Sequence, residues 1–173
     1  MERPSVNEYD DYFKRYVELV PDGNIFSLLK EQINETKRLL SSLSEEQLHY
    51  RYMDNKWSIK EIIGHLTDGE RMLSHLLLCI ARGENSSYAG FDKDKYIMNG
   101  SFDNLSIELL LAHYQAVRTS TIALLNTLGS NVWLNQGIAL HSPITVRALA
   151  WIIVGHEIHH RNIIIEKYIN KEI

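Results

Sequence analysis

Three histidines in two separate segments have the residue type and spacing of metal ligands. His156 and His160 are four residues apart, so on a helix they lie one turn from each other on the same side. His65 belongs to another apolar segment, in which Gly69 follows one turn later and leaves space beside it. Neutral imidazoles bind Zn, Ni, Cu or Fe, and three protein ligands with an open fourth position are typical of catalytic sites. The spacing therefore predicts a divalent-metal site formed by His65, His156 and His160.

The chain has eight histidines, so chance must be weighed against this interpretation. A His-x-x-x-His pair alone often arises by chance, and a single inward histidine is usually a hydrogen-bonded core residue. Two adjacent buried imidazoles without a metal would each need partners for both ring nitrogens, which is costly in apolar surroundings. A third inward histidine on another helix favours the metal interpretation. Of the others, His113 is a candidate fourth contributor, and we expect surface or loop positions for His49, His75 and His141.

The same segment contains a His-Glu-x-x-His sequence, made by His156, Glu157 and His159, which in zinc proteases supplies two ligands and a general base. Glu157 is about 100° away from His156 around the helix, and His159 lies at the border of the apolar face. Glu166 is the nearby acidic candidate for a third ligand, and it follows too soon for the usual arrangements. The protease interpretation is therefore disfavoured.

Other polar residues could assist such a site. Asp68 and Glu157 are candidates to accept hydrogen bonds from imidazole N–H groups in a second layer around the metal. Arg51, Arg71 and Arg161 could hold an acidic cosubstrate, although solvent-exposed roles are favoured for all three. Trp57 is expected either to line the pocket entrance or to anchor the connector before the second helix.

The elements that must position these residues are four amphipathic helices. Apolar residues recur with helical spacing, and capping residues such as Ser58 mark helix starts, over about residues 24–42, 58–82, 106–128 and 145–170. Two long, irregular connections separate these helices, at 83–104 and 129–144. We therefore predict one all-α domain over 1–173, a four-helix bundle that is not simply up-down-up-down, with residues 1–20 as an N-terminal arm. Globin-like packing of shorter helices is the alternative.

Composition excludes several classes of function. The net charge is −4, with 18 basic and 22 acidic residues and no basic stripe, so we expect no nucleic-acid partner. The longest apolar run, 148–154, is far too short to span a membrane, and the N-terminus lacks the apolar region of a signal peptide. The single cysteine, Cys79, excludes an intramolecular disulfide. We therefore expect a cytoplasmic location.

An ordered set of short motifs resembles the DinB/YfiT-like superfamily of metal-dependent enzymes. The matching stretches run through most of the chain: Arg3-Pro4, Glu8-Tyr9, Arg51-Tyr52, 56–61, 64–71, 80–83, 90–92, 146–149 and 155–160. The resemblance implies a bundle in up-down-down-up order, often homodimeric, with a divalent metal on His65, His156 and His160. We expect this metal to be Zn or Ni. It also implies thiol S-transfer with a low-molecular-weight thiol (bacillithiol, mycothiol or glutathione) or hydrolysis. Gly69 departs from the pattern, because relatives often carry a larger residue there.

These observations lead to two functional hypotheses. In the first, the chain is an enzyme whose metal lowers the pKa of a bound water or thiol, so that a small molecule is hydrolysed or receives a thiol. Cys79 lies three turns or more beyond His65, so the thiol would arrive as a cosubstrate. In the second, the bundle binds a metal or small ligand without catalysis, as a stress-associated protein. A purely structural module would leave the three inward histidines unexplained.

Overall fold

The computed structural model describes residues 1–84 and 87–170, and helices dominate this part of the chain. The α-helices are α1 (Asp11–Val17), α2 (Ile25–Ser41), α3 (Glu45–His49), α4 (Ile59–Ala81), α5 (Lys93–Gly100), α6 (Ile107–Asn126) and α7 (Val146–Ile163). Short 3-10 turns occur at Val6–Glu8, Phe102–Asn104 and Ser130–Val132. After α7 the backbone widens into a π-helix, Ile164–Ile169, so the α-helix ends earlier than the predicted limit near 170.

The starts of the long helices follow from their capping residues. Ser58 accepts a hydrogen bond from the Glu61 backbone N–H, and the Glu61 side chain accepts one from Ser58 in return, which forms a capping box before α4. Ser106 and Thr145 cap α6 and α7 in the same way, through their hydroxyls, although without the reciprocal glutamate. These polar residues fix where each helix begins.

The four long helices pack in an order that differs from their order in the chain. Helix α4 packs chiefly against α6 and α7, and α2 packs against the same two helices. Helix α1 lies on α7, where a Cβ on Gly155 would come within 2.0 Å of the Tyr16 carbonyl oxygen. Only a glycine allows this approach, so Gly155 fixes the predicted N-terminal arm against α7.

The two long connections contain regular structure that the sequence did not reveal. Besides α5 they contribute three short strands, β1 (Ser87–Tyr88), β2 (Gln136–Ala139) and β3 (Ser142–Thr145). Strand β1 pairs in parallel with β2, and β2 pairs antiparallel with β3 through a turn at Leu140 and His141. Both turn residues have positive φ, 50° and 68°, which suits a tight hairpin of right-handed twist but is unusual for non-glycine residues. The sheet thereby ties the two connections together at one side of the bundle.

None of the described helices is long and apolar enough to cross a membrane.

Candidate metal centre

The three histidines that the sequence singled out meet between α4 and α7. The Nε2 atoms of His65 and His156 are 3.2 Å apart. One ligand nitrogen from each of His65, His156 and His160 lies within 4.8 Å of the other two. Zinc–imidazole bonds of about 2.0–2.1 Å in tetrahedral geometry separate two ligand nitrogens by about 3.3 Å. The 3.2 Å between the His65 and His156 nitrogens matches this value, and a His160 nitrogen lies within 4.8 Å of both.

Burial keeps these imidazoles in the neutral form that a metal needs. Burial, with a smaller effect from the charge of Lys93, lowers the pKa of His65 to about 4. Burial likewise lowers the pKa of His156 and His160 well below the ordinary value of 6.5, and neighbouring imidazoles add to the effect. Near neutral pH each ring thus offers an unprotonated nitrogen. The donor set has the chemistry of a Zn, Ni, Cu or Fe site.

The side chains around the trio fix its geometry. The Trp57 ring lies 4.8 Å from the His65 ring, and the Tyr168 hydroxyl donates a 2.6 Å hydrogen bond to the Trp57 carbonyl. A Cβ on Gly69 would lie 3.2 Å from Cε1 of His156, so the space that this glycine leaves is filled by the His156 ring. Trp57 therefore both lines the cavity beside the histidines and holds the connector before α4 in place.

A cavity of about 340 Å³ opens beside the three histidines. Its walls include the aromatic rings of Tyr12, Tyr16, Trp57, Tyr88 and Phe91. The half-buried His159 also lines the cavity, where its ring is 5.4 Å from that of Tyr16, but it is outside the close trio. A small molecule in this cavity would contact the imidazoles directly.

The structure places Glu157 away from the imidazoles, among a buried set of charges. One of its oxygens accepts a 2.6 Å hydrogen bond from the Thr36 hydroxyl, and the other lies 2.9 Å from Nη1 of Arg118. We expected Glu157 to accept a hydrogen bond from an imidazole N–H, but its partners are Thr36 and Arg118. A carboxylate committed to Arg118 is also unsuited to act as the general base of a His-Glu-x-x-His protease.

Asp68, the other carboxylate expected near the metal, faces a different neighbourhood. It is half-buried, and burial raises its pKa more than the nearby charges of Arg71 and His113 lower it. The Nη2 atom of Arg71 is 2.6 Å from Nε2 of His113 on the exposed surface of α4 and α6. His113, the candidate fourth contributor, is therefore not part of the described histidine trio.

The buried arginine was missed by the sequence analysis. Arg118 is 1% exposed, and its guanidinium donates to both oxygens of Glu70, at 2.8–3.0 Å, and to the Tyr114 hydroxyl at 2.8 Å. Its Nη1 donates to Oε1 of Gln32 at 3.1 Å, so the cluster joins α2, α4, α6 and α7. The available signal was the position of Arg118 four residues after Tyr114, on the apolar face of α6.

The three arginines proposed to hold an acidic cosubstrate lie outside the cavity. Arg51 pairs with Glu61 and, at 2.7 Å, with Asp103. Arg161 pairs at 2.5 Å with Glu35, and Arg71 contacts His113. Two other cations, Arg15 on α1 and Lys93 on α5, line the cavity instead. No local sequence pattern marked them, because they reach the site only through tertiary packing.

The fold and the site together define a class: bundles of four long helices with an internal group of histidines beside a cavity. Within this class the chain belongs to the DinB superfamily, whose profile matches residues 28–164. The sequence resemblance to DinB/YfiT-like proteins is therefore confirmed.

Individual relatives agree with this assignment. A protein of Oceanobacillus iheyensis named as a candidate metal-dependent hydrolase is 24% identical over 148 residues, which cover 83% of this chain and 84% of the relative. The fold is similar to YfiT from Bacillus subtilis, described as a probable metal-dependent hydrolase with an unusual four-helix bundle topology. The TM-score is 0.75 at 18% identity, over 95% of this chain and 90% of YfiT.

A mycothiol-dependent maleylpyruvate isomerase has a similar fold, with a TM-score of 0.66 at 13% identity over 84% of this chain and 61% of the isomerase. The predicted fold class, an all-α four-helix bundle, is confirmed, and the three-stranded sheet is a minor addition to it.

Proposed function

We propose that this protein is a metal-dependent enzyme whose divalent ion is held by His65, His156 and His160. The observation that carries the proposal is the convergence of three neutral imidazoles, with ligand nitrogens within 4.8 Å of one another, on the wall of a cavity that admits a small molecule. The relatives named as metal-dependent hydrolases support it. Imidazole donors suit zinc, nickel, copper and iron, and among these we expect zinc or nickel.

The chain's own residues prepare the site in three ways. Burial holds the imidazoles neutral, so no proton must leave before a metal binds. Packing of Trp57 on His65 and of Tyr16 on His156 limits rotation of the rings. Aromatic rings on the cavity wall would shield part of a bound substrate from water. A divalent ion bound by the three histidines would supply Lewis acidity and would lower the pKa of a bound water or thiol.

A thiol S-transferase is the finer proposal, with hydrolysis as its competitor. The likeness to a mycothiol-dependent isomerase supports a thiol cosubstrate. Cys79 does not line the cavity, and its Sγ is 3.7 Å from Nε2 of His75 at the surface of α4. A reacting thiol would therefore come from a small molecule that enters the cavity, and not from the chain.

Metal analysis of the native protein tests the proposal. The protein is purified without chelator, and zinc and nickel are measured by mass spectrometry in the wild type and in His65→Ala, His156→Ala and His160→Ala. We expect near-stoichiometric metal in the wild type and a loss in each variant. His113→Ala and His49→Ala, which change exposed histidines, are the matched controls and should keep the metal.

Activity assays then separate catalysis from simple binding. Thiol addition to an electrophile and hydrolysis of an ester are measured with the metal-loaded protein and with the three histidine variants. A wild type that neither contains nor takes up metal contradicts the metal site. A metal-loaded protein that is inactive in every thiol and hydrolysis assay favours the non-catalytic binding protein.

A further inference from the structure

The cavity beside the histidines has a charge that differs from the charge of the whole chain. The chain is acidic, with a net charge of −4. None of the described residues that line the cavity is acidic, whereas two of them, Arg15 and Lys93, are cationic. A bound metal would add further positive charge. An anion that enters the cavity would therefore meet attraction without carboxylate repulsion from its walls.

The two cations hold defined positions without carboxylate partners. The Arg15 guanidinium stacks 4.1 Å from the Tyr12 ring centre and 4.8 Å from that of Tyr16. The Lys93 ammonium lies 5.6 Å from the Trp57 ring centre. Within the described residues, no carboxylate is within 4.0 Å of either cation. Their charges thus remain available to a ligand.

The two cations belong to separate elements. Arg15 lies on α1 and Lys93 on α5, and both line the cavity that the three histidines also line. Positive charge therefore reaches the cavity from two distant parts of the chain.

The size and walls of the cavity limit what the anion can be. Its volume of about 340 Å³ is at the lower end of the range for small-molecule sites, about 300–1,000 Å³. Most of the remaining wall is aromatic or aliphatic, from residues such as Phe91, Leu140 and Ile152. Such a wall gains free energy by covering an apolar body.

We propose that the substrate of this site is a small organic carboxylate with an aromatic or aliphatic body, and that Arg15 and Lys93 select it by its negative charge. The inference deepens the proposed function, on which it rests for the reaction itself. It assigns the N-terminal helix and the connection between α4 and α6 a role in recognition. The sequence placed no candidate site residue in either segment.

Three probes of similar size and different charge test the inference. Phenylacetate, phenylacetamide and 2-phenylethylamine are titrated calorimetrically into the protein as purified with its metal. We expect phenylacetate to bind about fivefold or more tighter than phenylacetamide, and the amine to bind weakest. Arg15→Gln and Lys93→Gln should each weaken phenylacetate binding by a similar factor and leave phenylacetamide within about twofold.

Neighbouring lysines provide matched controls. Lys14→Gln changes the residue beside Arg15 on α1, and Lys95→Gln changes a residue two positions after Lys93 on α5; neither lysine lines the cavity. Both variants should bind phenylacetate like the wild type. The double variant Arg15→Gln/Lys93→Gln should lose most of the preference for phenylacetate over phenylacetamide, and the bound metal should account for what remains.

The outcomes separate this inference from the proposed function. If the protein contains metal but binds phenylacetate no better than phenylacetamide, or if the two cavity variants behave like their controls, the inference is wrong and the metal site stands. If phenylacetate binding depends on Arg15 and Lys93 in a protein that holds no metal, the carboxylate site stands and the metal-dependent function is wrong.

Discussion

Replacement of Arg118 by methionine is the most direct test of how the bundle tolerates buried charge. The side chains of Glu70 and Glu157 are 4% and 0% exposed, and the guanidinium beside them is 1% exposed. Methionine fills a similar volume but leaves both carboxylates without their cation. Removal of one partner from a buried ion pair costs about 3–5 kcal/mol, because an uncompensated charge stays in the interior. We therefore expect the free energy of unfolding to fall by about that amount.

Urea unfolding followed by far-UV circular dichroism measures this change by linear extrapolation. Arg161→Met is the control, since its pair with Glu35 is partly solvent-exposed and should contribute at most about 1 kcal/mol. Addition of Glu70→Gln and Glu157→Gln to Arg118→Met should recover part of the loss, because the buried charges then disappear together. If Arg118→Met costs no more than Arg161→Met, the charge-compensation argument is wrong.

Two further predictions concern the N-terminal arm. Burial raises the pKa of Glu8, but its hydrogen bonds, above all with Arg147, outweigh burial and lower the pKa from 4.5 to about 2. The ionised Glu8 therefore stabilises the fold fully above about pH 4.5, and this stabilisation is lost as the pH falls towards 2. Glu8→Gln should lower the free energy of unfolding by about 3 kcal/mol near neutral pH, and in urea titrations its stability should fall less than that of the wild type as the pH is lowered. The control Glu18→Gln, which changes an exposed residue, should follow the wild type. Gly155→Ala should lower the free energy of unfolding by about 1–3 kcal/mol or more, because its Cβ would lie 2.0 Å from the Tyr16 carbonyl oxygen. The same variant should increase proteolysis of residues 1–20. Unchanged stability and protease resistance would contradict that contact.

The sequence predicted the long helices and the histidine trio because both depend on local patterns. Apolar periodicity and capping residues such as Ser58 act within one or two helical turns. The pair His156 and His160 likewise follows from helical spacing alone. His65 could be predicted as the third ligand because it lies on the inward edge of its own helix. Once α4 and α7 pack in one core, this position brings His65 close to His156 and His160.

The contacts that the sequence did not predict depend on residues distant in the chain. Glu157, beside a candidate ligand, suggested an imidazole partner, but its direction is decided by Arg118 on another helix. Arg15 reaches the cavity because α1 docks on α7, and Lys93 because its connection folds into α5 beside the site. None of these contacts has a periodic signature, and each is fixed only when the whole bundle has formed.

The separation of His65 and His156 along the chain has a consequence for the unfolded state. These residues are 91 positions apart, yet their nitrogens are 3.2 Å apart in the fold. An ion that joined them would act as a reversible cross-link across that loop. A covalent cross-link closing a loop of this length removes chain entropy worth about 4–5 kcal/mol from the unfolded ensemble. A chain with a single cysteine cannot form its own disulfide, and coordination by imidazoles would give it a comparable constraint that a chelator can remove.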